Sequence, residues 1–133
     1  MNYWLMKSEP STYSWADLEK DKKATWDGVR NFQARNNLKA MKKDDLAFIY
    51  HSNEDKAIIG IAKIFKENYP DPAEKDWVVV DIAPVKKLKA PVSLAQIKAD
   101  KRLSDMVLVR ASRLSVQPVK KEEFELVIKL SEQ

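Results

Sequence analysis

The stretch Leu46-Ala-Phe-Ile-Tyr-His-Ser-Asn-Glu-Asp-Lys-Ala-Ile-Ile-Gly-Ile-Ala-Lys-Ile-Phe65 decides the fold. Two runs rich in isoleucine and aromatic residues, 46–50 and 57–65, flank the polar link 51–56. Side chains of that kind suit a pleated, half-buried surface, so the segment predicts an antiparallel hairpin with a long turn. Upstream, the apolar run 3–6 ends at Ser8-Glu9-Pro10 and reads as an opening strand. Downstream, Tyr69-Pro-Asp-Pro72 breaks the chain, and the β-branched run 77–82 reads as the next strand. Residues 85–90, bracketed by Pro84 and Pro91, read as an irregular or edge strand, because proline donates nothing to a ladder. A short strand is expected over 114–118.

Helices punctuate these strands. Ser14, with Asp17 three residues on, predicts an N-capped helix through Lys20. Phe32, Leu38 and Met41 stand apolar in a polar background, so residues 29–41 read as a helix with one buried face. Ser93 and Gln96 form a capping-box pattern for a short helix to Ala99, while 103–109 fits helix or strand. Lys120-Lys-Glu-Glu opens a final helix whose Phe124, Val127, Ile128 and Ser131 recur at helical spacing. Five or so strands interrupted by short helices give an α+β fold on a curled, mostly antiparallel sheet, with residues 1–133 as one domain. The length of 133 residues suits that count.

The absence of cysteine removes disulfides, Cys-type zinc sites and thiol chemistry. Apolar runs such as 57–62 fall far short of the roughly 18 residues of a membrane span, and the N-terminus lacks the features of a signal peptide. The expectation is a soluble, intracellular domain, monomeric or part of a small oligomer with the monomer favoured, cytoplasmic or, in a eukaryote, nuclear. The formal net charge of +4 is unevenly spread. Residues 25–43 carry +4 and residues 101–121 carry +5, leaving −5 for the rest, and all five arginines lie in those two stretches. Arginine suits forked recognition of phosphates and base edges; two solvated basic surfaces would give the same distribution.

The one histidine, His51, cannot supply the paired ligands of common zinc sites, and Gly28 and Gly60 alone make no phosphate-cradling loop. A triad of Ser52 or Ser8 with His51 and an aspartate lacks a nucleophile signature, and adjacent Ser and His on a strand point to opposite sides. A non-enzymatic role without metal or cofactor is therefore expected. The constellation Trp26-Asp-Gly-Val-Arg-Asn-Phe-Gln-Ala-Arg-Asn-Asn37 joins an indole, two arginines and several amides, the chemistry that holds an unpaired base. The alternative makes Trp26 core, Asp27 a helix cap, and Arg30 and Arg35 solvated. Trp4, Trp15 and Trp77 alternate with aliphatics and read as core; Trp26, at a loop–helix junction, is the least core-like.

Tyr3-Trp-Leu-Met-Lys-Ser-Glu-Pro10, Trp26-Asp-Gly-Val-Arg-Asn-Phe-Gln-Ala-Arg-Asn36, Phe48-Ile-Tyr-His-Ser-Asn53, Ile59-Gly-Ile-Ala62 and Arg113-Leu-Ser-Val-Gln-Pro-Val119 together resemble an EVE domain of the PUA-like superfamily. The resemblance implies a PUA-like β-barrel with short peripheral helices and recognition of a modified base, such as methylated or hydroxymethylated cytosine, in DNA or RNA. It nominates a base pocket of Lys7, Ser8, Trp26, Val29, Arg30, Asn31, Tyr50, His51, Ser52, Asn53, Arg113, Ser115 and Gln117. Arg35, Lys39 and Arg110 would meet phosphates, and the two basic stretches would line one cleft. Glu9 would be structural, pairing for instance with a buried arginine. Many relatives carry a longer segment where only Ala73–Asp76 separates Pro72 from Trp77 here, which implies a more open site. Two rivals stand beside the base reader: a hydrolase or other enzyme on a nucleotide-like substrate using His51, and a small-molecule or protein-interaction module on the same fold.

Overall fold

The computed structural model describes residues 1–111 and 113–133. Six strands, β1 (Tyr3–Ser8), β2 (Ala24–Trp26), β3 (Leu46–His51), β4 (Ala57–Pro70), β5 (Val78–Ser93) and β6 (Val116–Val119), form one sheet in the order β2-β5-β4-β3-β1-β6. Every neighbouring pair is antiparallel except β1 with β3. The hairpin expected around residues 51–56 is the β3–β4 connection. Among the described residues, five helices accompany the sheet: α1 (Trp15–Asp21), α2 (Phe32–Ala40), α3 (Leu94–Ala99), α4 (Val107–Arg110) and α5 (Lys121–Ser131). The ambiguous 103–109 region is helical, a 3-10 turn over Lys101–Leu103 followed by α4.

The α+β expectation holds, and the sheet curls without closing into a barrel, with β2 and β6 as its edges. The curl has a local cause. The β4–β5 ladder shifts register four times, between Ile58 and Gly60, Ile61 and Ala62, Ile64 and Lys66, and Lys66 and Tyr69, and such bulges bend and twist a strand. They also explain β5, which runs unbroken through both prolines that bracket 85–90; Pro84 pairs opposite Ala62 at one of the shifts. Helix α2 packs against edge strand β6 and against β5 and β4. Asn37 on α2 donates its amide to the Val116 carbonyl of edge strand β6 at 2.7 Å.

Both faces of the sheet are buried, and strand alternation sorts side chains between them. Trp4, Met6, Ala47, Ile49, Ala62 and Ile64 pack with Trp15 and Leu18 of α1 and Ala34 and Leu38 of α2. Leu5, Phe48, Ile58, Ile61, Leu88 and Val92 face the other way, against Ile97, Leu108, Phe124 and Val127. There Phe48 and Phe124 stack with centroids 4.1 Å apart. The buried Asp45 carboxylate is satisfied by three donors, the amides of Asn2 and Lys42 and the Trp4 indole, and so ties β1 to the turn before β3.

Two assignments around the motif differ from expectation. Helix α2 starts at Phe32, not Val29, because Asn31 and not Asp27 is its cap: the Asn31 Oδ1 accepts from the Ala34 amide at 2.9 Å. Trp26 stands at the end of the edge strand β2, paired with Val80, rather than at a loop–helix junction.

Candidate functional site

The β1 terminus and the β2 edge enclose a cleft of about 420 Å³. Lys7, Ser8, Glu9, Thr12 and Tyr13 line one side; Ala24, Thr25, Trp26 and Asp27 line the other. The first wall is held by its own backbone: the Glu9 carbonyl accepts from the Thr12 and Tyr13 amides at 2.9 and 2.8 Å, and Ser8 Oγ donates to the Tyr13 carbonyl. The Lys7 amide bonds the Ser115 carbonyl at 2.9 Å, and the Ser52 amide bonds the Ser8 carbonyl at 2.9 Å. The second wall hangs on β5, where Thr25 Oγ1 donates to Asp81 at 2.9 Å and Tyr69 Oη donates to the same oxygen at 2.5 Å. Trp26 is partly buried, packed against the core, and lines the cleft as its aromatic residue on this side.

Protons are already committed on these walls. The Ser8 and Thr25 hydroxyls donate to the Tyr13 carbonyl and to Asp81, and the exposed Glu9 and Asp27 carboxylates add acceptors to the cleft lining. Tyr13 donates to Asp21 at 2.9 Å; burial first, then that carboxylate, pushes its phenol up to about 12. Burial draws the Lys7 ammonium below its usual value, and its Nζ lies 5.8 Å from the Tyr50 ring centroid. An aromatic wall facing an acceptor-rich wall with one lysine suits a flat, amino-bearing heterocycle.

Of the residues nominated from sequence, the structure brings Lys7, Ser8 and Trp26 to this cleft. The others stand elsewhere, and their contacts say why. Val29 and Tyr50 are buried in the two cores. Asn31 caps α2, and Asn53 sits in the β3–β4 turn with a positive φ of 65°. His51 is 6% exposed: its Nε2 accepts from the Trp15 amide at 2.9 Å, and Nδ1 lies 2.8 Å from Asp55. That engagement fixes the start of α1 and leaves no free imidazole nitrogen for the hydrolase reading. Gln117 is fully buried and donates to the Leu114 carbonyl at 2.8 Å. Arg110 and Arg113 are exposed, the first at the end of α4, and neither lines the cleft; the Ser115 carbonyl of the second basic stretch accepts from the amide of cleft residue Lys7. Glu9 is on the cleft wall and is in none of the ion pairs found among the described residues.

Arg30 and Arg35 serve a different place. Arg30 Nη1 lies 3.2 Å from the buried Asp71 carboxylate, and its guanidinium stands 5.6 Å from the Trp77 ring centroid. The Ala73 amide foremost, then Arg30, with a bond from the Gly28 amide, hold the Asp71 carboxyl below the usual range. Arg35 donates to the Asp76 carbonyl at 2.9 Å and lies over both Phe32 and Trp77. Trp77, read as core, is instead only partly buried and stacks on Phe32 at 5.2 Å. Sequence reading overlooked Thr12, Tyr13 and Thr25 on the cleft. Thr25 adjoins Trp26 and was legible by position, but Thr12 and Tyr13 enter only through the turn after Pro10.

The EVE domain model matches residues 2–130. Mouse thymocyte nuclear protein 1 is 40% identical over 167 aligned positions, covering 98% of this chain and 74% of the mouse protein. Those positions outnumber the 133 residues here, so the relative carries inserted segments. The solution structure of Rpa0253 from Rhodopseudomonas palustris superposes with a TM-score of 0.95 at 50% identity, covering 99% of this chain and 94% of that one. The crystal structure of human THYN1 in complex with 5-methylcytosine-containing DNA gives 0.93 at 36% identity, with 100% and 99% covered. By sequence along nearly its whole length and by fold, this chain belongs to the EVE domain family.

Proposed function

We propose that this protein is a non-enzymatic nucleic-acid-binding module that draws one modified base, of the methylated or hydroxymethylated cytosine class, out of a DNA or RNA strand and into the cleft beside Trp26. The observation that carries this reading is the cleft itself: an indole wall facing hydroxyl and carboxylate acceptors in a volume of about 420 Å³. That size lies within the roughly 300–1,000 Å³ of ligand pockets. The acceptors match the exocyclic amine of cytosine, and Trp26 supplies stacking. The likeness to human THYN1, solved with 5-methylcytosine-containing DNA, supports the partner class.

Trp26→Ala tests it. The variant is expected to bind a 5-methylcytosine oligonucleotide about ten-fold or more weakly, since stacking contributes roughly 1–3 kcal/mol per base. Its circular dichroism and unfolding midpoint report whether the fold survives. Parent-like affinity in a folded variant removes Trp26 from the site.

A further inference from the structure

The motif that contains Trp26 continues into a second aromatic feature that the cleft does not use. Phe32, the first residue of α2, is 66% exposed, yet its ring is held in place, stacked on Trp77 at 5.2 Å with 28° between planes. The Arg35 guanidinium stands 4.9 Å from the Phe32 centroid and 5.3 Å from that of Trp77, itself anchored on the Asp76 carbonyl. Phe32, Arg35 and Lys39 follow one another at helical spacing, a ring and two cations along one stripe of α2. The short Ala73–Asp76 segment precedes Trp77 and leaves Phe32 open.

The chain and the β2–β5 ladder link this feature to the cleft: Trp26 pairs with Val80, three residues beyond Trp77. Asp71 takes donors from Arg30 and from the Gly28 amide, so the Gly28–Arg30 link joins cleft residue Asp27 to the base of the Phe32–Trp77 stack. Residues 25–43 carry a net +4, complementary to a polyanion. An exposed ring held face-on by another ring, with cations beside it, is how a strand is followed without regard to sequence, because every base has a π face.

We propose that Phe32 is a stacking platform for the nucleobase next to the one held in the cleft, with Arg35 and Lys39 meeting the phosphates that lead away along α2. The proposal rests on the nucleic-acid reading above and extends it to a two-point grip.

The test uses the full chain and single-stranded deoxynonamers bearing one central 5-methylcytosine, intact or with an abasic residue on one side of it. Phe32→Ala is expected to keep the parental unfolding midpoint, since the ring is exposed. It should bind the intact nonamer about ten-fold more weakly. One of the two abasic probes should cost the parent a similar factor and cost Phe32→Ala nothing further, while Phe32→Trp retains parental binding. Parental affinity in Phe32→Ala overturns the platform, and would also be the result if this face served a protein partner. Penalties of variant and abasic probes that simply multiply overturn it as well. If the parent binds no nonamer, modified or not, the nucleic-acid reading falls and the platform with it. If it binds but Trp26→Ala changes nothing, the cleft assignment alone fails and the Phe32 result still decides.

Discussion

At the scale of single residues, several motif positions are occupied by packing and internal hydrogen bonds rather than by ligand chemistry. Gly60 illustrates this: a Cβ there would stand 2.7 Å from the Trp15 indole, which lies flat across β4. Gly60→Ala is expected to destabilise the protein by about 1–3 kcal/mol, as overpacking does, read as a lowered urea midpoint. An unchanged midpoint would mean that the indole is not seated there. His51 and Gln117 follow the same logic, since each satisfies a main-chain group that would otherwise be buried without a partner. Their residue types resemble a ligand's readers, but both His51 nitrogens and the Gln117 side-chain amide N–H are engaged within the protein. Sequence alone shows such side chains as polar; it does not show which partner they face.

At the scale of elements, the loop between β2 and α2 is organised from outside itself. Asp71, from the Tyr-Pro-Asp-Pro break, binds the Arg30 guanidinium and the Ala73 amide, with a further bond from Gly28. Because the folded-state carboxyl titrates below its usual 3.8, its contribution is complete above that value and is lost as pH falls through the lower folded value. Asp71→Asn is therefore expected to be less stable than the parent at pH 7, with the gap narrowing on acidification; equal unfolding midpoints at pH 7 would refute it. Caps at Ser14 and Ser93 were legible because the capping atoms lie within three residues of the amides they serve. Strand β2 was not legible: Ala24–Trp26 has three residues and exists through its ladder with β5, more than fifty residues away. The β5 run past two prolines was equally hidden, because the bulges that admit proline belong to the pairing with β4.

At the scale of the whole molecule, the cleft opens at one edge of an unclosed sheet, and the basic stretch from 25 to 43 begins on its wall and continues along α2. If phosphates follow that course, binding of a modified oligonucleotide weakens steeply with added salt, and Lys39→Ala lowers the slope of log Kd against log salt by about one. A flat salt titration would oppose a nucleic-acid partner. Sequence by itself determined the hairpin at residues 51–56, the helix caps at Ser14 and Ser93 and the family, because those signals are local or run in unbroken blocks. Only the tertiary structure decided which motif side chains face the cleft. Asn37 meets a carbonyl 79 residues away and His51 an amide 36 residues away, and a polar group's partner at such separation depends on how the sheet curls.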